Sequence, residues 1–141
     1  MAINQITVFL ENKAGALLNV TKLLSENKVD LRAINIAETA DYGLLRLITA
    51  DNAAAEKVLK AENLIFTETP VLAVAIDDKP GALSSVLEVL AKENIDLHYI
   101  YSIFGNKDAK AYMIMQLQDV DKAAELLKQN GMTIADACDL T

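Results

Sequence analysis

The sequence predicts an α+β fold made of two copies of one βαββαβ unit. Three observations predict it. Lys13-Ala-Gly-Ala-Leu17 returns as Lys79-Pro-Gly-Ala-Leu83, and Asn27-Lys-Val-Asp-Leu31 returns as Glu93-Asn-Ile-Asp-Leu97, both 66 residues later. Within each copy the apolar period switches between two and about 3.6 residues, which marks strands alternating with helices. The chain has 141 residues, 52% of them hydrophobic and 23% charged, with 5 Gly and 2 Pro, so it can bury a core and is not a disordered or collagen-like sequence.

In the first copy, Ile6, Val8 and Leu10 alternate with polar residues up to a Lys-Ala-Gly break, the pattern of a strand entering a turn. Leu17, Val20 and Leu24 then fall at helical spacing through 15–27 and read as a core stripe. Residues 31–39 and 43–49 read as a hairpin around the turn-prone 40–43 segment. Asp51 offers an N-cap to an Ala-rich helix over 52–61, and a strand over 64–69 closes the unit.

The second copy repeats the order: strand 71–77, helix 81–93, strands 95–104 and 109–118, helix 121–130 with Gly131 as its stop, and strand 132–137. A helical segment pairing at a shift of 68, Ala55 to Lys60 with Ala123 to Lys128, implies about two extra residues near 105–108. Each copy therefore reads as a ferredoxin-like unit, with two helices on one face of a four-stranded antiparallel sheet and the other face left open. Units this small bury only about 60% of their unfolded surface. Modules 1–69 and 70–141 are thus expected to pack side by side, with a joined antiparallel sheet and helices on one face.

Composition narrows the function. A net charge of −7 disfavours nucleic acid as a partner, and the Lys/Arg, Gly and aromatic run of an RNA-recognition strand is absent. One Cys, Cys138, and one His, His98, give neither a CxxC site nor a histidine-based metal cage, so no cofactor or metal is expected. A reducing, cytoplasmic setting fits this cysteine usage, with no export signal and no apolar run long enough to cross a membrane. There is no nucleophile elbow, and the only arginines, Arg32 and Arg46, both lie in the first copy. Asp77 with Asp78, and Asp119 with Asp121, read as loop and cap residues, so no enzyme is expected.

What recurs is the loop before each first helix. A helix start leaves backbone N–H groups unpaired and carries partial positive charge, so it can hold a carboxylate, and Gly15 and Gly81 would let that backbone come close to a ligand. Asp30 and Asp96, at the start of each second strand, would supply a fixed acid beside it, an arrangement suited to a zwitterion. The same residues also fit a purely structural role, with glycine closing a tight strand end and each Asp ending the preceding helix.

The pattern of strand, Asp/Asn-Lys-Pro-Gly-Ala-Leu, helix, Asn-Ile-Asp-Leu and strand resembles the ACT domain, a small ligand-binding module of amino-acid metabolic regulation, and two copies cover the whole chain. The resemblance implies a free amino acid bound at the interface between adjacent modules. It puts the loop positions on Asn12, Lys13, Gly15, Ala16 and Leu17, and on Asp78, Lys79, Pro80, Gly81, Ala82 and Leu83, with the second-strand polar position on Asp30 and Asp96. Asn35, Ile36, Tyr101 and Ser102 are wall residues by strand alternation. Ala14 stands where the family has proline, which predicts a less rigid first loop, and Asn12 differs from Asp78 in being able to donate a hydrogen bond. The expected protein is a freestanding amino-acid sensor, acting through homodimer assembly or a metabolic-enzyme or regulatory partner. The alternatives are a regulatory subunit of an acetohydroxyacid synthase type complex and a ligand-free dimerisation module.

Overall fold

A computed structural model describes residues 2–39, 41–104 and 110–140. In chain order the elements are β1 (Ile3–Glu11), α1 (Ala16–Glu26), β2 (Leu31–Glu38), β3 (Tyr42–Thr49), α2 (Asn52–Ala61), β4 (Phe66–Asp77), α3 (Ala82–Lys92), β5 (Leu97–Phe104), β6 (Lys110–Leu117), α4 (Val120–Gln129) and β7 (Thr133–Ala135), followed by a 3-10 turn, Ala137–Leu140. The fold is α+β with βαββαβ modules, as the periodicity predicts. Two compact units emerge: a first module, Asn4–Thr69, and a second from Pro70 onward that also takes in the N-terminal residues up to Ile3.

In the first module the strands run in the order β2-β3-β1-β4, and antiparallel pairing sets Ile6 opposite Leu47, Leu10 opposite Gly43 and Ile36 opposite Leu45. Ile6, Val8, Leu45 and Leu47 project onto the helices and pack with Val20 and Leu24 of α1 and Ala55 and Leu59 of α2. Each fully buried aliphatic side chain contributes about 1.5–3 kcal/mol, and the stripe predicted from helical spacing supplies Val20 and Leu24, with Leu17 partly buried beside them. In the second module the order is β5-β6-β4-β7, with Leu72, Val74, Met113 and Met115 against Val86, Leu90, Ala123 and Leu127.

The helix ends follow one recipe. Each helix closes with a residue in left-handed backbone, Lys28 (φ 59°), Asn63 (57°), Asn94 (54°) or Gly131 (78°). The next residue's N–H then returns to a carbonyl five back: Val29 to Leu24, Leu64 to Leu59, Ile95 to Leu90 and Met132 to Leu127, all at 2.9–3.0 Å. This is the Schellman arrangement, in which the apolar residue after the turn packs back on the helix it ends. The repeated Asn-Lys-Val-Asp and Asn-Ile-Asp segments are therefore helix stops, and Lys28 and Asn94, not Asp30 and Asp96, end the helices.

Three expectations need correction. The strands expected at 64–69 and 71–77 are one strand, β4, with Pro70 inside it, ahead of the β6 pairing that begins at Leu72. The last strand is only three residues long and gives way to the 3-10 turn, whose Asp139 carboxylate accepts the Asp136 N–H at 2.8 Å. The sheet face away from the helices is not open: Gln5, Ile48, Val71, Ala73 and Ile114 are all buried. The run Val71-Leu-Ala-Val-Ala-Ile76 already carries apolar residues on both faces, the mark of a strand buried on both sides. The extra residues expected at 105–108, and Ala109 at the start of the next strand, lie outside the described residues.

Candidate ligand-binding site

The two strand-to-helix loops share one backbone frame. Lys13 N–H donates to Glu11 O and Lys79 N–H to Asp77 O, both at 2.9 Å. Ala16 N–H donates to Lys13 O and Ala82 N–H to Lys79 O, both at 3.3 Å. Gly15 and Gly81 then take φ of 85° and 88°, a left-handed backbone that an L residue adopts only at a cost. Ala14 in place of Pro80 leaves this frame unchanged, because neither hydrogen-bond pattern needs the N–H that proline lacks. Glycine has a structural reason here, the positive φ. It also leaves space, since a Cβ built at either position meets nothing within 4 Å.

Helix starts divide into two kinds. The Asp51 carboxylate caps α2 by accepting from Ala54 N–H, and Asp119 caps α4 by accepting from Lys122 N–H. By contrast, α1 and α3 begin on Gly15 and Gly81 with no side-chain cap and no acid in the first turn. Helix geometry leaves the N–H groups of Leu17 and Leu18, and of Leu83 and Ser84, without an intrahelical carbonyl. They are donors beside the positive end of a helix dipole, which is where an external carboxylate is stabilised.

Asn12 is tied to the far side of its loop. Its Nδ2 donates to Thr39 O at 3.0 Å, and its Oδ1 lies 3.1 Å from the Cβ position of Gly43, so β2, β3 and the loop are held together. Asp78, a carboxylate, has no N–H with which to make such a tie. Lys13 pairs with Glu11 at 2.7 Å, and Lys79 with Asp77 at 3.7 Å, all four side chains being well exposed. Hydrogen bonding and charge between Lys13 and Glu11 lower the Glu11 carboxyl and raise the Lys13 ammonium from their ordinary ranges. Beside this loop a groove of about 660 Å³ runs along α1, lined by Lys13, Ala16, Asn19 and Leu23 on one side and Asn63 and Ile65 on the other.

The fixed acid is not beside the helix start of its own module, and this corrects the expected arrangement. At the loop end of the first module Glu11 faces Tyr42 and Glu38 faces Gly43, whereas Asp30 lies at the opposite end, its carbonyl accepting from Ala50 N–H. The 11-residue α1 spans about 16 Å between these ends. Asp96 is placed in the same way, its carbonyl accepting from Gln118 N–H. The Asp30 carboxylate is paired with Arg32 at 2.6 Å. Spacing alone concealed this, because a strand that follows a helix begins where the helix ends.

The wall residues are divided. The Asn35 side-chain Oδ1 accepts from Arg46 Nη1 at 3.0 Å, Ile36 is exposed, Tyr101 is buried and stacked with Tyr99, and Ser102 is exposed. None of them lines the groove. His98 Nδ1 meets the Gln116 side-chain oxygen.

The sequence matches the family described as ACT domain pair over residues 1–141. The chain belongs to that family. An ACT domain pair is a regulatory fold, and no catalytic family is indicated. Protein BT0572 from Bacteroides thetaiotaomicron superposes with a TM-score of 0.91 at 37% identity, covering 99% of this chain and 96% of the other. The regulatory subunit of aspartate kinase from Thermus thermophilus, in a ligand-free form, superposes with a TM-score of 0.64 at 15% identity, over 89% and 91% of the two chains. Aspartate kinase from Clostridium acetobutylicum gives 0.52 at 17% identity, the match covering 90% of this ACT domain pair and 32% of the kinase. At such identities the two kinase likenesses speak to fold. A comparison of the sequence with curated proteins finds no match.

Proposed function

We propose that this ACT domain pair is a freestanding amino-acid sensor whose effector's carboxylate is held by the uncapped start of α1, of α3, or of both. The observation that carries the reading is the contrast among helix starts. The two that follow the repeated Lys-x-Gly-Ala-Leu loop lack a side-chain cap, while the two that do not follow it are capped by Asp51 and Asp119. The loop residues Asn12, Lys13, Gly15, Ala16 and Leu17, and Asp78 through Leu83, form the proposed binding set. In the first module the groove along α1 offers room for an effector side chain. Regulation then follows from linkage: an effector that binds one assembly state better than another shifts the balance between them.

A panel of the twenty amino acids by thermal unfolding tests this. At about 100 times its Kd a true effector stabilises the fold by roughly 2.7 kcal/mol. Gly15→Asn and Gly81→Asn place a side chain over each helix start. Asparagine tolerates left-handed backbone, and nothing lies within 4 Å of the new Cβ, so the fold should survive. The shift should vanish in the variant that obstructs the occupied site. A flat response across the panel would refute the reading, and a shift that survives both substitutions would move the site away from the loops.

A second reading, a regulatory subunit of an amino-acid biosynthetic enzyme, is favoured by the likeness in fold to the aspartate kinase regulatory subunit. It predicts co-purification with a large catalytic chain, whereas a sensor binds its effector without one.

A further inference from the structure

We propose that the groove along α1 takes an α-amino acid with an apolar side chain, its ammonium held by Glu62 at the end of α2, a placement that rests on the carboxylate reading above. The topology of the first module brings the two helix ends together. β1 ends at the loop and β3 begins there, with Glu11 opposite Tyr42. α1 therefore starts at that end of the module, and α2, which follows β3, finishes at it. Phe9 N–H donates to Ile65 O at 2.9 Å, which fixes the chain after α2 beside the last residues of β1. The groove of about 660 Å³ is thus bounded by the positive start of α1 and the negative end of α2.

Glu62 supplies the acid that Asp30, at the far end of the module, does not. It lines the groove as the C-cap residue of α2. A carboxylate beside the negative end of a helix is disfavoured, so an external cation is stabilised there both by the charge and by the helix pole. Glu62 forms no ion pair among the described residues. Of the other acids lining the groove, Glu11 is held by Lys13 at 2.7 Å and Glu26 closes α1 at its far end. The lining selects the side chain: Leu10, Val20 and Leu64 are apolar, and Ile65 stands 71% exposed, an area that an apolar ligand covers. The second module has neither feature, because at the 68-residue shift Asn130 stands for Glu62 and Thr133 for Ile65. Both modules share the loop, but the first alone pairs it with an acid and an apolar residue at these two positions.

Calorimetric titration of the full chain with the twenty amino acids, and with 4-methylpentanoate as a leucine lacking its ammonium, tests the placement. Affinity should rise from alanine through valine to leucine, by up to about fourfold per added methylene, and 4-methylpentanoate should bind more weakly than leucine. Glu62→Gln, at an exposed position, should weaken leucine about fivefold or more and leave 4-methylpentanoate unchanged. Ile65→Thr should remove most of leucine's advantage over alanine, and Gly15→Asn should abolish binding. Leucine binding that Glu62→Gln leaves intact overturns the proposal, as does equal affinity for 4-methylpentanoate, a response to polar amino acids alone, or binding that survives Gly15→Asn and is lost in Gly81→Asn. In each of these cases an amino acid still binds and the sensor reading stands. If no amino acid binds the wild type, both fall.

Discussion

Single residues in left-handed backbone punctuate this chain. Gly15 and Gly81 open helices in that conformation, while Lys28, Asn63, Asn94 and Gly131 close them. Lys28 is the misfit, because a lysine at φ 59° carries a Cβ clash that asparagine tolerates better and glycine avoids. Lys28→Gly should raise stability by about 0.5–1 kcal/mol, the relief of strain exceeding the added freedom of the unfolded chain. Urea unfolding measures this, and a loss of stability would show that the Lys28 side chain contributes more than its backbone costs. At this scale the sequence was legible where residue type and conformation coincide, as at Gly131 and Asp51. It misled on the placement of Asp30 and Asp96, which follow a Schellman turn and so stand, within their own module, at the far end of the helix from the loop.

Between elements, the contact of α2 with β4 in the first module has a built-in pH dependence. Asn52 gathers this corner: its Oδ1 accepts from Thr49 Oγ1 at 2.6 Å, and its Nδ2 donates to Asn4 O at 2.8 Å and to Glu68 Oε1 at 3.3 Å. Hydrogen bonding with the Glu68 side chain, then burial and the Glu68 charge, hold the Glu56 carboxyl above its ordinary range, against a smaller pull from Lys60. A carboxyl whose pKa is raised on folding binds more protons in the folded state. Its contribution is therefore complete below the unfolded pKa and is lost as pH rises through the folded one. Glu56→Gln, which stays neutral and keeps a donor for Glu68, should raise Tm at pH 7 and change it little in mild acid. An equal effect at both pH values would show that the Glu56 carboxyl is not held above its ordinary range. None of this was visible in the sequence, because Glu56 and Glu68 meet only once α2 has packed beside β4. Helix stripes and caps, which need only local spacing, were readable. The fusion of two strands into β4 was not, since Pro70 reads as a break, yet it lies within β4 ahead of the β6 pairing that begins at Leu72.

For the molecule as a whole, the duplication was the most legible feature, because two short motifs at one shift fix the module order without any long-range information. Burial of the helix-free sheet faces was written in the apolar run of β4 but needs three dimensions to be seen. Among the described residues no helix is long and apolar enough to cross a membrane. The functional account rests on backbone amides at the starts of α1 and α3, and these can be observed one by one. An amide-resolved NMR titration with the effector that stabilises the protein is the most direct measurement. The account predicts that the largest, saturable shifts fall on the N–H groups of Leu17 and Leu18, of Leu83 and Ser84, or of both pairs. Saturable shifts confined to other amides, with these four unmoved, would contradict it.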